Sequence, residues 1–362
     1  MKLRVVDLSR VLAGPVCSMV LGDLGADVIK VERPGSGDET RGWGPPFDAS
    51  GQSAYFLGVN RNKKSLAADL SKEPDRELVL SLISSADVVL ENFIPGALRK
   101  LGIDANQLLQ EHSRLVWCTI TGFGSESARP GYDFVIQAES GWMSITGERE
   151  GSPMKVGVAL ADVIAGKDAA IAILAAIAER DAGTLDSARR HIVVSLQSSA
   201  IAALVNVAQN VLVSGNDAKR WGNAHPNLVP YQLFAAADRP FVIGVGSDAQ
   251  WLQCARALDI EDLANDSSLL TNAGRVAQRE RVVETIAART RERNAQHWID
   301  RLNTANVPCG LVRTVREALS NTGADPVTGV PPSVPGSVRM PPPTLDEHGD
   351  AIRALGWRAF NP

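Results

Sequence analysis

Through its first half the chain alternates short apolar runs with stretches of helical periodicity, and that rhythm fits a parallel sheet covered by helices on both faces. Strands are expected at Leu3 to Asp7, Asp27 to Glu32, Asp87 to Glu91, Leu115 to Thr119 and His191 to Leu196. Helices are expected at Pro15 to Leu24, Arg76 to Ser84, Ala105 to Glu111 and Val163 to Arg180. The pattern predicts an α/β fold, a Rossmann-like doubly wound sheet. From Lys219 the texture changes: Pro226 and Pro230 break the chain, a short strand follows at Phe241 to Gly244, and then come helices rich in Arg, Glu and Gln. The expected division is a large domain of residues 1–200 and 326–362, a smaller, mostly helical domain of residues 219–312, and linkers at 201–218 and 313–325. Pro326 to Pro343 holds seven prolines, which fix φ and remove backbone donors, so this tail should run extended over the surface to a last helix at Asp346 to Leu355.

Charge and cysteine usage narrow the function. Lys and Arg number 37 against 41 Asp and Glu, a net charge of −4, whereas nucleic-acid-binding domains usually carry a basic surface, so DNA and RNA are not expected partners. Cys17, Cys118, Cys254 and Cys309 lie far apart with no C-x-x-C pair, and the histidines form no H-E-x-x-H, so neither a disulfide framework nor a metal site is expected. A reducing cytoplasm is the expected home. Asp7 interrupts the first apolar run before it could act as a signal-peptide core. Ile192 to Asn216 lacks charged residues and is long enough to cross a bilayer. Its Ser195, Gln197, Ser198, Ser199, Asn206, Gln209 and Asn210 instead suit a strand followed by a buried helix, and no membrane is expected.

The familiar nucleotide and hydrolase motifs are missing. The first strand leads into Ser9-Arg-Val-Leu-Ala-Gly-Pro15, with one glycine where a dinucleotide fingerprint needs three. Ala161 to Asp168 resembles a phosphate loop but has Ala161 for its first glycine and Asp168 for its Ser/Thr, and there is no G-x-S-x-G elbow. What remains is Asp162, which ends the run from Lys155 and opens a helix. As an N-cap it would contribute about 0.5–2 kcal/mol. The same place also suits a nucleophile towards an activated acyl group, because the helix terminus offers amides to developing negative charge. Lys30, Arg33, Arg61, Lys63, Lys64, Arg99 and Lys100 read either as a solvated surface or, being near the carboxyl ends of strands, as a site for a polyanionic small molecule.

Six blocks, in order, carry a resemblance: Val6 to Pro15, Leu21 to Pro34, Asn60-Arg-Asn-Lys-Lys-Ser65, Glu91-Asn-Phe-Ile-Pro-Gly96, Thr121-Gly-Phe-Gly124 and Gly131-Tyr-Asp133. Together they resemble the class III CoA-transferase family, which includes formyl-CoA transferase, carnitine CoA-transferase and α-methylacyl-CoA racemase. The resemblance implies that Asp162, in Val158-Ala-Leu-Ala-Asp162, is the acyl-accepting nucleophile. It implies coenzyme A, as acyl-CoA substrate, at Leu12, Ala13, Arg33, Ala68, Asp69, Leu70, Ser71, Asn92, Phe93, Ile94, Lys100, Tyr132 and Asp133, with no metal. It also implies an intertwined homodimer.

Two departures bear on the branch. Racemase members carry histidine where this chain has Tyr132, and a phenol with a pKa near 10 exchanges protons poorly at neutrality. The glycine-rich loop of formyl-CoA transferases has no counterpart around Phe241 to Gly246. Lys219 to Gln232 instead resembles succinyl-CoA:glutarate and related dicarboxylate CoA-transferases. A dicarboxylate acceptor needs its second carboxylate held, typically by an arginine fork. Arg41, Arg61, and Arg220 with His225 are the available groups, also readable respectively as a loop ion pair, a CoA phosphate contact and an interdomain contact. The rival readings are a CoA-ester racemase or isomerase and a non-catalytic acyl-CoA-binding protein.

Overall fold

The computed structural model describes residues 3–360; residues 1–2 and 361–362 of the expected large domain lie outside them. The chain divides into a larger unit of Met1–Met143, Lys155–Asp217 and Leu319–Pro362 and a smaller unit of Ser144–Met154 and Ala218–Ala318. The stretch Ser144–Met154 had been expected within the large domain.

In the larger unit, β1 (Arg4–Asp7), β2 (Asp27–Glu32), β3 (Lys63–Ala67), β4 (Val88–Glu91), β5 (Val116–Thr121) and β6 (His191–Ser195) form one sheet in the order β3-β2-β1-β4-β5-β6. Every neighbouring pair is parallel. This is the doubly wound order, and its direction reverses between β1 and β4, where a ligand crevice opens. Successive strand residues feed opposite faces. Val5, Val28, Val88 and Val116 pack under the Ala13–Asp23 and Leu160–Asp181 helices, whereas Val6, Ile29 and Val89 pack with Glu73–Ile83 and Ala105–Glu111 on the other side.

Strand β3 was not expected, because Lys63-Lys64-Ser65 reads as polar surface. Lys63 is fully buried, and its Nζ reaches Asp7 at 3.3 Å, Asn60 Oδ1 at 2.9 Å and the Pro15 carbonyl at 3.0 Å. The whole block Asn60 to Lys64 is structural. Arg61 grips Asp23 with two parallel hydrogen bonds of 2.9 and 2.6 Å and donates to the carbonyls of Thr328 and Val330. Asn62 donates to Ser337 O and accepts from the Arg339 amide, so the proline-rich tail is clasped by this block. The last helix is shorter than expected, Gly349–Leu355.

After β6 come two helices, Leu196–Ala202 and Val205–Ser214, bent by 70° at their junction. The expected buried helix is thus corrected: the first half has buried residues but the second has none. No single helix among the described residues is long and apolar enough to cross a membrane, although this bent pair passes together by length and composition.

Helices make up most of the regular structure of the smaller unit, as expected. It contains an antiparallel sheet of β7 (Tyr231–Ala235), β8 (Pro240–Gly244) and β9 (Cys309–Leu311) in that order, packed with Trp251, Trp298 and their neighbours in a core of its own.

Candidate active site

The long helix begins at Leu160, earlier than expected, so Asp162 is the third residue of its first turn and not the N-cap, which is Ala159. The cap is supplied in trans. Asp133, first residue of the Asp133–Glu139 helix, accepts the Ala161 N–H at 2.9 Å and the Gln137 side-chain amide at 2.7 Å. Gln137 in turn accepts the Val156 N–H at 2.8 Å, fixing the preceding loop. The Asp162 carboxyl is therefore released from capping. One turn on, a Cβ at Gly166 would stand 2.5 Å from the Ala13 carbonyl oxygen. Glycine there lets the long helix close on the Ala13–Asp23 helix, bringing Asp162 against the turn after β1.

Asp162 is 9% exposed. Burial, helped by the negative charge of Asp133, pushes its pKa up to about 7. It lines a cleft of about 260 Å³ at the carboxyl ends of β1, β4 and β5. Six of the residues expected to contact CoA line the same cleft: Leu12, Ala13, Asn92, Phe93, Ile94 and Tyr132. Arg33, Ala68, Asp69, Leu70 and Ser71 line a neighbouring groove of about 320 Å³ beyond β2 and β3, and Phe93 recurs there. Arg33 is exposed and has no ion-pair partner among the described residues. Lys100 is exposed and lines neither cavity, although the next residue, Leu101, lines the groove. Asp133 lines neither and has the capping task just described.

The expected acceptor-holding residues are otherwise engaged. The Arg41 fork pairs with Glu32 at 2.8 and 2.7 Å and lies over the Phe56 ring, and Arg61 is committed to Asp23 and the tail; neither lines the Asp162 cleft. In the smaller unit, Arg220 donates to the carbonyls of Glu148, Ser144 and Gly151. His225 Nδ1 accepts the Asn227 N–H at 3.0 Å. The basic cluster also shrinks: Lys30 is fully buried against Asp38 at 2.9 Å, Lys63 against Asp7, and Lys64 donates to Ala359 O at 2.7 Å. Arg33, Arg99 and Lys100 remain at the surface.

Two residues not singled out in the sequence line the cleft, and a third, Tyr55, feels the charge of Asp162. Arg10 and Arg129 line the Asp162 cleft, each paired with a carboxylate, Glu39 and Glu139. Half-buried Tyr55 has its hydroxyl pKa raised to about 12, by burial first and then by the charges of Asp162, Asp133 and Asp38. Arg10 stood inside a quoted block; Tyr55, in Gln-Ser-Ala-Tyr-Phe, carried no spacing signal.

The strand order defines a doubly wound α/β protein with a crevice over its switch point, and an enclosed, uncapped carboxyl lies in that crevice. The chain belongs to CoA-transferase family III, whose pattern matches residues 2–348, and it is a CoA-transferase. It is similar to succinyl-CoA:glutarate CoA-transferase of Mus musculus, 38% identical over 95% of this chain and 83% of that one. It is 40% identical to succinate--glutarate CoA-transferase of Agrobacterium fabrum over 88% of this chain and 81% of that one. Its fold matches the crystal structure of a CaiB/BaiF family protein from Brucella suis with a TM-score of 0.84 and 40% identity, covering 97% of both chains.

Proposed function

We propose that this enzyme moves CoA from succinyl-CoA, or another dicarboxyl-CoA, to a dicarboxylic acid such as glutarate, with Asp162 as nucleophile. The observation that carries the reading is the Asp162 carboxyl, desolvated and spared from capping, in a cleft that adjoins the Arg33 groove. The names of the related enzymes supply the acid class. The Asp162 carboxylate attacks the donor thioester carbonyl; the C–S bond breaks, leaving a mixed anhydride and CoA thiolate. The thiolate attacks the aspartyl carbonyl, releasing the donor acid and forming an aspartyl-CoA thioester. The acceptor carboxylate then attacks that thioester, giving a second anhydride and thiolate, and thiolate attack on the acceptor carbonyl returns the Asp162 carboxylate and a new acyl-CoA. No net proton is consumed. The positive end of the Leu160–Asp181 helix favours the oxyanion formed at each attack. Arg33 and Lys100 are suited to CoA phosphates.

The acid class is tested by incubating the enzyme with succinyl-CoA and a panel of mono- and dicarboxylates, read by mass spectrometry. Glutarate used no better than butyrate overturns the dicarboxylate reading while leaving the transferase. The nucleophile must be ionised, so kcat/KM should rise with pH through about 7, the Asp162 value, and level off above it. An Asp133→Asn variant removes a neighbouring negative charge, and its inflection should fall to lower pH. A profile flat between about pH 5 and 9 argues against an Asp162 nucleophile.

The reading includes an intertwined homodimer in the cytoplasm. The dimer is supported by the Val205–Ser214 helix, whose Leu212 and Val213 are 76% and 77% exposed, adjacent apolar side chains of the kind that mark an interface, and the compartment by four unpaired cysteines. Light scattering should find a dimer at micromolar concentration, and a stable monomer there counts against it.

A further inference from the structure

Arg10 lies where the Asp162 cleft and the Arg33 groove meet, and Glu39 and Phe93 are shared with it by both walls. Its backbone is clamped. The Asn92 side chain accepts the Arg10 N–H at 2.9 Å and donates to the Arg10 carbonyl at 2.7 Å. The Asp38 carboxylate accepts the Val11 N–H at 3.2 Å and is itself pinned by buried Lys30 at 2.9 Å. Between these clamps Val11 is held at φ 70°, a left-handed conformation that a β-branched residue adopts only when its surroundings force it. The turn presents one side chain. The Arg10 guanidinium lies 5.1 Å from the centre of the Phe93 ring and pairs with Glu39, while its Nε is enclosed and has no acceptor among the described residues. Asn92, expected to touch CoA, thus has its side chain committed to this turn.

We infer that Arg10 is the residue a CoA thioester crosses between the Arg33 groove and Asp162, its guanidinium leaving Glu39 to hold oxygens of the CoA diphosphate, with Glu39 as a built-in competitor. This rests on the proposed reading that CoA occupies both cavities. A planar fork binds phosphate oxygens through parallel hydrogen bonds, and an aromatic face beneath it holds its plane. Glu39, 47% exposed at its side chain, neutralises the fork in the free enzyme and must yield it, because a carboxylate beside a diphosphate is repelled.

The test compares wild type, Arg10→Gln and Glu39→Gln by calorimetric titration with CoA and by steady-state kinetics with two donors, succinyl-CoA and succinyl-pantetheine, which lacks the diphosphate. Arg10→Gln should raise the KM for succinyl-CoA roughly tenfold or more with kcat within about twofold, since a lost charged hydrogen bond to bound ligand acts on binding. With succinyl-pantetheine the variant and wild type should have the same kcat/KM, because the partner of the fork is gone. Glu39→Gln should bind CoA several-fold more tightly. An equal Arg10→Gln penalty with both donors overturns the diphosphate assignment, as does no penalty with either. Unchanged CoA affinity in Glu39→Gln overturns the competitor role, and since Glu39 is a surface residue, that arm stands even if Arg10→Gln does not fold. Wild type that binds no CoA at all overturns the proposed function before any variant is made.

Discussion

Asp162→Asn is expected to lower acyl transfer by about 10⁴-fold or more while making the folded protein more stable above neutral pH. The catalytic half follows from chemistry: an amide cannot act as the anionic nucleophile that opens the thioester, and no other carboxylate is enclosed in that cleft wall, Glu39 being an exposed partner of Arg10. The stability half follows from the geometry. Asp162 caps nothing, so the amide forfeits no cap, and burial together with Asp133 makes its carboxylate costly in the folded state. The sign is fixed by linkage. A carboxyl whose folded pKa lies near 7 and whose unfolded value is 3.8 releases its proton on unfolding across that interval, so stability falls as pH rises through it. Asparagine lacks this loss, and the variant should gain roughly 1–3 kcal/mol at pH 8 and nothing at pH 4. Thermal melts at both pH values read the second half. Mass spectrometry of protein quenched with succinyl-CoA reads the first, as an adduct on Asp162 in wild type and none in the variant. Turnover retained in a preparation checked for deamidation sinks the assignment.

What was legible in the sequence and what was not divide along a physical line. Strands β1, β2, β4 and β5 are buried on both faces or nearly so, and such strands must be written as near-continuous apolar runs; β6, at the sheet edge, is only half-buried, yet its Ile-Val-Val run reads the same way, and all five lie within about two residues of their expected limits. β3 obeys a different rule. Lys63 and Ser65 enter the core because Asp7 and Glu32, far away in the sequence, supply their partners, and a lysine paired in the core is written with the same letter as one in water. Arg61 and Lys63, readable in the sequence as solvated surface or as a polyanion site, are neither, because each has a buried partner, Asp23 and Asp7. Asp162 is singled out in the sequence by resemblance and by its place at the start of a helix. Its release from capping was invisible, because the acceptor that takes over, Asp133, comes from another helix. In the smaller unit β8 is legible as the run Phe241 to Gly244, whereas β7 and β9 are short and mostly half-buried or exposed, which leaves no clean alternation to read.

The paired interior charges make the second large effect a matter of stability. Asp7 is fully buried at the carboxyl end of β1, where it accepts the Ser9 N–H at 2.9 Å, the hydroxyls of Ser9 and Ser18, and the Lys63 ammonium at 3.3 Å. Burial alone would raise its pKa; Lys63, Lys30 and the two hydroxyls together hold it below the ordinary value. Lys63 is less well served. Burial outweighs Asp7 and brings it down to about 8. Asp7→Asn leaves Lys63 without its counter-charge, and breaking a buried pair from one side costs about 3–5 kcal/mol. The lysine has one escape, to give up its proton. Its folded pKa, already depressed, falls further without Asp7, so the unfolded chain binds more protons than the folded one and the stability of the variant should rise with pH. The deficit relative to wild type is therefore expected to be larger at pH 6 than at pH 9. Adding Lys63→Met removes the stranded charge, and the double variant should be more stable than Asp7→Asn alone, since neighbours in one network do not add. Urea unfolding of the three proteins at both pH values decides the matter. A deficit that does not change with pH, or a double variant weaker than the single one, would show that Asp7 matters for the hydroxyls and the turn that leads into Arg10, and not for the charge of Lys63.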